Sequence, residues 1–258
     1  NNMAADKPYL RLQRVNTVEE AYAAMRPLLE RGRVEEARDM IADKYLVGPA
    51  TRYSRNRPVM GAWIKHMHKV QVEYYVARKR KTIGFFESQK LFTLHQSLGE
   101  LVRQFVLELG SVKPDRLNRT LLHEAAYCQV TGTCEFLLAQ GYDPNRRAAG
   151  NATALIDALD GFEGLPLSFD AEFDPFRVKE LFPTLLDAGA DPDFPVGTGL
   201  SVSARLRRLS KWYNVLVASD EKTKTEWDIP DLEEKIPLLK SCYVDVLEAH
   251  RQRRLGRQ

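Results

Sequence analysis

The stretch Thr120-Leu121-Leu122-His123-Glu124-Ala125-Ala126, with Phe136-Leu137-Leu138-Ala139-Gln140-Gly141-Tyr142-Asp143-Pro144-Asn145 behind it, decides how this chain reads. Two short apolar segments are closed by a glycine and an Asp-Pro-Asn turn. Thirty-three residues after Thr120, Thr153-Ala154-Leu155-Ile156-Asp157-Ala158-Leu159 repeats the first segment. Leu181-Phe182-Pro183-Thr184-Leu185-Leu186-Asp187-Ala188-Gly189-Ala190-Asp191-Pro192-Asp193 repeats the second. A third start falls at Thr198-Gly199-Leu200 and continues through Ser203-Ala204-Arg205-Leu206, 45 residues beyond Thr153. That interval is one period plus an insertion placed over 161–175, where Gly161, Gly164, Pro166 and Pro175 read as breakers. One helix pair of this length cannot bury its own apolar side, so about three must stack.

The residue types suit such stacking. Thr120 and His123 can tie one turn to the next through side-chain hydrogen bonds. Ala125 and Ala126 are small where neighbouring helices come close, and Leu137, Leu138, Leu185 and Leu186 fill the space between pairs. Gly141 and Gly189 can take the left-handed conformation that ends a helix. Over roughly residues 115–217 the pattern resembles degenerate ankyrin repeats: a Thr-Pro-Leu-His turn, an Ala-Ala helix, and a Leu-Leu helix closed by Gly-Ala-Asp. The departure is Leu122, in a turn where the family carries Pro and Leu in Pro-Leu order. Upstream, Thr93-Leu94-His95 with Leu107-Glu108-Leu109-Gly110 reads either as a further unit, its histidine in the turn, or as an ordinary capping helix pair.

The expected fold is all-α: a helical hairpin lead-in, a short ankyrin-type solenoid, and a C-terminal capping helix. Residues 1–82 form the N-terminal helical region, 83–217 the repeats, and 218–258 a charged loop, capping helix and arginine-rich tail. Thr17-Val18-Glu19-Glu20 is a capping box, and Val18, Ala21, Tyr22, Met25, Leu28 and Leu29 share one face. Gly32 breaks that helix, and a second runs from Val34 to about Lys44. The pair is similar to one pentatricopeptide or tetratricopeptide unit, through Gly32-Arg33-Val34-Glu35-Glu36-Ala37, or is a generic helix pair. A basic loop over Thr51–Pro58 and a long helix over Met60–Lys81 follow. Ala218–Asp231 reads as a charged loop, Ile236–His250 as the capping helix, and Arg251–Gln258 as a tail with four arginines and no acid.

At 258 residues, with 44% hydrophobic and 28% charged residues, the chain has the composition of a globular protein. No apolar run reaches the roughly 20 residues needed to span a bilayer. No secretory signal precedes Leu10, and Met3 follows either a tag remnant or a processed terminus. Cys128, Cys134 and Cys242 make neither an even disulfide set nor a zinc spacing, so a reducing compartment is expected, the mitochondrial matrix or the cytoplasm.

Net charge is +3, unevenly spread. Between Arg52 and Lys81 stand nine bases and one acid, Glu73; between Asp160 and Asp193 stand nine acids and two bases. Arg52, Arg55, Arg57, Lys65, Lys69, Arg78, Lys79, Arg80 and Lys81 are interleaved with Tyr53, Trp63, Tyr74 and Tyr75. Cations for phosphates and rings for bases suit RNA. A solvated face with its aromatics in the core, or an acidic protein partner, remains open. His66 and His68 point to different faces of a helix and read as solvated, and Asp170, Glu172 and Asp174 as a solvated acidic insertion lacking a calcium-loop pattern.

No catalytic motif is legible, and neither cofactor, metal, membrane nor small-molecule substrate is expected. The ankyrin resemblance implies a non-catalytic scaffold, its partner held by turn-tip and inner-helix residues such as Arg116, Asn118, Arg119, Glu124 and Tyr127. The expectation is a peripheral subunit of a large assembly, such as an organellar ribosome or other ribonucleoprotein. The alternative is a free-standing adaptor or bacterial effector with one protein partner.

Overall fold

The computed structural model describes residues 18–45, 49–109, 112–163, 174–195, 200–218 and 237–256, and every regular element among them is helical. The first pair is α1 (Val18–Leu29) and α2 (Val34–Tyr45). Ala21, Met25 and Leu29, four residues apart, are buried on one face of α1. Ser97 donates to the Leu29 carbonyl at 2.9 Å, a second donor on an oxygen that the Gly32 N–H already caps at 3.0 Å.

The next pair is α3 (Pro49–Lys79) and α4 (Phe85–Leu109). They run antiparallel: Trp63 packs on Phe105 with ring centroids 5.1 Å apart, and Gln71 meets His95 at 3.1 Å. At 31 residues α3 is about 45 Å long, and it contains the segment 51–58 expected as a loop. Pro49 sits at its first position, where a missing N–H costs nothing, and the helix continues through Pro58. The expected upstream unit is corrected too. Thr93, Leu94 and His95 lie inside the 25-residue α4, so His95 occupies no turn.

Two further pairs follow: α5 (Leu121–Tyr127) with α6 (Thr131–Ala139), and α7 (Ala154–Glu163) with α8 (Leu181–Asp187). Each closes through a glycine with φ near +85°, Gly141 (83°) and Gly189 (90°), and then an Asp-Pro turn. Asn145 N–H bonds Asp143 Oδ1 at 2.8 Å, and Asp193 N–H bonds Asp191 Oδ1 at 2.9 Å. The third start at Thr198 and Gly199 lies outside the described residues, but a helix α9 (Val202–Ala218) begins just beyond it. The expected loop from 219 onward also lies outside them. A π-helical turn, Lys240–Val244, leads into the last helix, α10 (Asp245–Leu255).

Contacts arrange these helices in two rows. In one, α3 packs on α5, α5 on α7 and α7 on α9; in the other, α4 packs on α6, α6 on α8 and α8 on α10. One apolar core runs from Ala21 to Leu247. Between α5 and α7 the spacing is set by Ala125, Ala126, Ala154 and Ala158, all fully buried.

Two boundaries differ from expectation. Gly161 is no breaker, since α7 runs on to Glu163. Arg251, Arg253 and Arg254 belong to α10 and not to a free tail. Arg251 bonds Ser203 Oγ at 2.9 Å and Asp193 at 3.3 Å, while Arg253 pairs with Asp187 at 3.7 Å.

Candidate functional site

Successive turns are tied edge to edge. Leu117 and Arg119 N–H groups both donate to Asp115 Oδ1, at 2.9 and 2.8 Å, folding 115–119 into a closed turn. Asn118 donates to the Arg147 carbonyl and accepts from Arg146 Nη2 at 3.0 Å, and Ala149 N–H bonds the Leu117 carbonyl at 2.7 Å. Asn145 repeats the arrangement one unit on, donating to the Gly189 carbonyl at 2.8 Å and accepting from Asp191 N–H at 2.7 Å.

Beneath this edge His123 is fixed in one tautomer. Its Nδ1 accepts from Thr120 N–H at 3.1 Å, so its Nε2–H faces the carbonyls of Arg146 and Ala152, at 3.1 and 3.3 Å. Burial holds its pKa below the usual histidine value.

The five residues expected to specify a partner separate. Arg116 and Tyr127 are exposed. Asn118 is exposed but engaged in the turn contact. Glu124 is half-buried and pairs with Lys65 at 3.3 Å, joining two residues assigned to different surfaces. Arg119 pairs with Asp157 at 3.1 Å. Asp157 is 3% exposed, and its Oδ2 has no hydrogen-bond partner among the described residues. Burial raises its pKa to about 7, against the opposing pull of Arg119.

Basic residues 52–81 do not form one patch. About 36 Å of helix separates Arg55 from Lys79 at 1.5 Å per residue. The side chains of Arg52, Tyr53, Arg55 and Arg57 lie outside the described residues. Trp63, Tyr74 and Tyr75 are core residues, 1%, 5% and 0% exposed, and present no face to a base. Lys69, Arg78, Lys79, Arg80 and Lys81 are exposed. Exposed rings stand instead at Phe85 and Phe86, just after the last four of these cations in sequence.

Neither His66 nor His68 is a solvated surface group. His66 is buried, its ring stacked 3.7 Å from that of Tyr22, and His68 Nδ1 lies 3.0 Å from the Cys128 carbonyl. Asp170 and Glu172 lie outside the described residues, but Asp174 accepts from the Tyr75 hydroxyl at 2.7 Å and from Lys179 N–H at 2.9 Å. The insertion therefore ends docked on α3. Phe176 packs its ring against Tyr74, Tyr75 and His95, with centroids 5.3, 5.7 and 4.6 Å away.

Sequence reading missed the polar chain through the centre. Gln71 donates to His95 Nε2 at 3.1 Å and to the Gln129 carbonyl at 3.2 Å. Gln129, fully buried with φ 59°, donates to the Ala158 carbonyl at 2.6 Å, and Tyr243 donates to the same carbonyl at 3.1 Å.

A cleft of about 600 Å³ opens between α4 and the start of α6, lined by Phe92, Gln96, Arg103, Val130, Gly132 and Arg177 among others. Its Arg177 is held by Glu135 at 2.6 and 2.9 Å and by Glu180 at 2.6 Å. Among the described residues no three His, Cys, Asp or Glu side chains converge as metal ligands, and no helix is long and apolar enough to cross a membrane. The three cysteines are buried free thiols. No family model, curated protein or solved structure matches the chain.

Proposed function

We propose that the chain is a non-catalytic protein-binding scaffold, an ankyrin-type stack serving as a peripheral subunit of a larger assembly. The carrying observation is the side-chain ladder between successive turns, Asn118 to Arg146 and Arg147, then Asn145 to Gly189 and Asp191. Such a ladder holds turn tips at fixed spacing, and a preorganised row loses less freedom when a partner docks. At its first rung Arg116 and Leu117 (57% exposed) offer a cation and an apolar anchor, and Tyr127 (48%), at the other end of α5, offers a second.

The test is co-purification of the full chain from its source with chemical cross-linking. Cross-links from the partner should map to 115–127, and Arg116→Glu with Tyr127→Ala should weaken capture roughly tenfold or more without lowering the melting temperature. A double variant that captures its partner undiminished overturns the assignment of this surface. Native mass distinguishes a resident subunit from a free-standing adaptor.

A further inference from the structure

The hairpin tip joining α3 to α4 is a second surface, independent of the turn edge. No residue between Tyr75 and Leu91 is fully buried, and from Arg78 to Glu87 every residue is exposed except Ile83, which packs half-buried on the core. Four consecutive cations, Arg78-Lys79-Arg80-Lys81, cover its α3 side. Phe85 and Phe86 stand beyond them, 78% and 81% exposed, their rings edge to face with centroids 5.7 Å apart. Only Glu87, within 3.7 Å of Lys90, supplies negative charge between 78 and 90. The tip is nonetheless an ordered structure: Thr82 N–H closes on the Ala77 carbonyl at 3.0 Å, and Ser88 Oγ bonds the Gly84 carbonyl at 3.0 Å.

Two adjacent phenylalanines at this exposure leave an apolar patch that a lone soluble surface seldom keeps without use. We propose that this tip docks on an anionic lipid bilayer, Phe85 and Phe86 entering the boundary between headgroups and acyl chains while Arg78 to Lys81 meet the anionic headgroups. Peripheral attachment of this kind combines two weak signals, an apolar insertion and a polybasic patch, and needs no membrane-spanning helix. The shape decides against single-stranded nucleic acid. That ligand is held in a charged groove with rings laid open as platforms, whereas this tip is an exposed hairpin end whose two rings pack against each other.

The experiment uses the full chain and vesicles of phosphatidylcholine with or without about 30% phosphatidylserine, scored by co-sedimentation. The expected result is binding to the anionic vesicles only, weakened as salt rises. Phe85→Ser with Phe86→Ser should lower it roughly tenfold or more, and Arg80→Gln with Lys81→Gln by a similar factor, since each cation near such a surface contributes about fivefold. A separate Phe86→Trp variant should gain a blue-shifted emission on anionic vesicles relative to the wild type, which reads insertion without removing the apolar group. Absence of anionic-vesicle binding, binding indifferent to the Phe pair, no blue shift, or displacement of the vesicles by a single-stranded RNA oligonucleotide each overturns the proposal.

Discussion

A Cβ on Gly161 would stand 1.8 Å from the Tyr127 carbonyl oxygen, well inside van der Waals contact. Here the end of α5 and the last turn of α7 touch backbone to backbone, continuing the seam of fully buried alanines at 125, 126, 154 and 158.

Gly161→Ala should therefore destabilise the protein by about 2–4 kcal/mol, despite the better helix propensity of alanine. The methyl must force α5 and α7 apart, which opens the packing of every alanine along the seam. Chemical denaturation measures the change. A variant as stable as the parent, or more so, would show that the two helices are not this close.

Phe176 anchors the far end of the insertion. Its ring is 5% exposed and meets Tyr74 edge to face at 89°. Phe176→Ala leaves a cavity among the rings of Tyr74, Tyr75, Phe92 and His95 and should cost roughly 3–5 kcal/mol, while Phe176→Leu should cost less because it refills most of the volume. Equal melting temperatures for the two variants would count against ring packing at this position.

What was legible in the sequence was local. Thr120 and His123 are three residues apart, and Gly141 and Gly189 each close a helix within a few positions, so short-range chemistry announces them. The Leu-Leu segments likewise carry their own period. Gln71 and Gln129 carry no local signal because their partners are remote: 58 positions separate Gln71 from the Gln129 carbonyl, and 114 separate Tyr243 from Gln129. Trp63, Tyr74 and Tyr75 were open to two readings for a related reason. Cations at neighbouring positions on a helix say nothing about which face a ring takes until the opposing helix is known. The overlooked pair, Phe85-Phe86, did carry a signal: both precede Leu91, the first buried position of α4.

Arg119 and Asp157 test how far the turn edge depends on a buried charge. Removing the guanidinium with Arg119→Met leaves a carboxylate that is 3% exposed without its partner. A stability loss of about 3–5 kcal/mol at pH 8 is expected, shrinking at lower pH as Asp157 takes up a proton. Denaturation of variant and parent at two pH values measures it. A loss independent of pH would mean that the pair is not electrostatically coupled.

Asp157 and His95 should pull the pH dependence of stability in opposite directions. Asp157 has a folded pKa near 7 against 3.8 ordinarily, so the native state binds the extra proton between those values and acidification through that window stabilises it. His95 is pushed down to about 3 by burial, and its Nε2 accepts from Gln71, so the unfolded chain binds the extra proton below about 6.5 and acidification destabilises. Burial also lowers the pKa of His68 and His123, adding to the second effect. Between about pH 6.5 and 4 one carboxyl therefore offsets roughly one histidine, at about 1.4 kcal/mol per pH unit each. Asp157→Asn removes the offset. Its stability relative to the parent should fall by about 1.4 kcal/mol for each unit from pH 6.5 to 4.5, followed by urea denaturation across that range. Parallel curves for variant and parent would place the Asp157 pKa at its ordinary value and remove the argument that its burial outweighs Arg119.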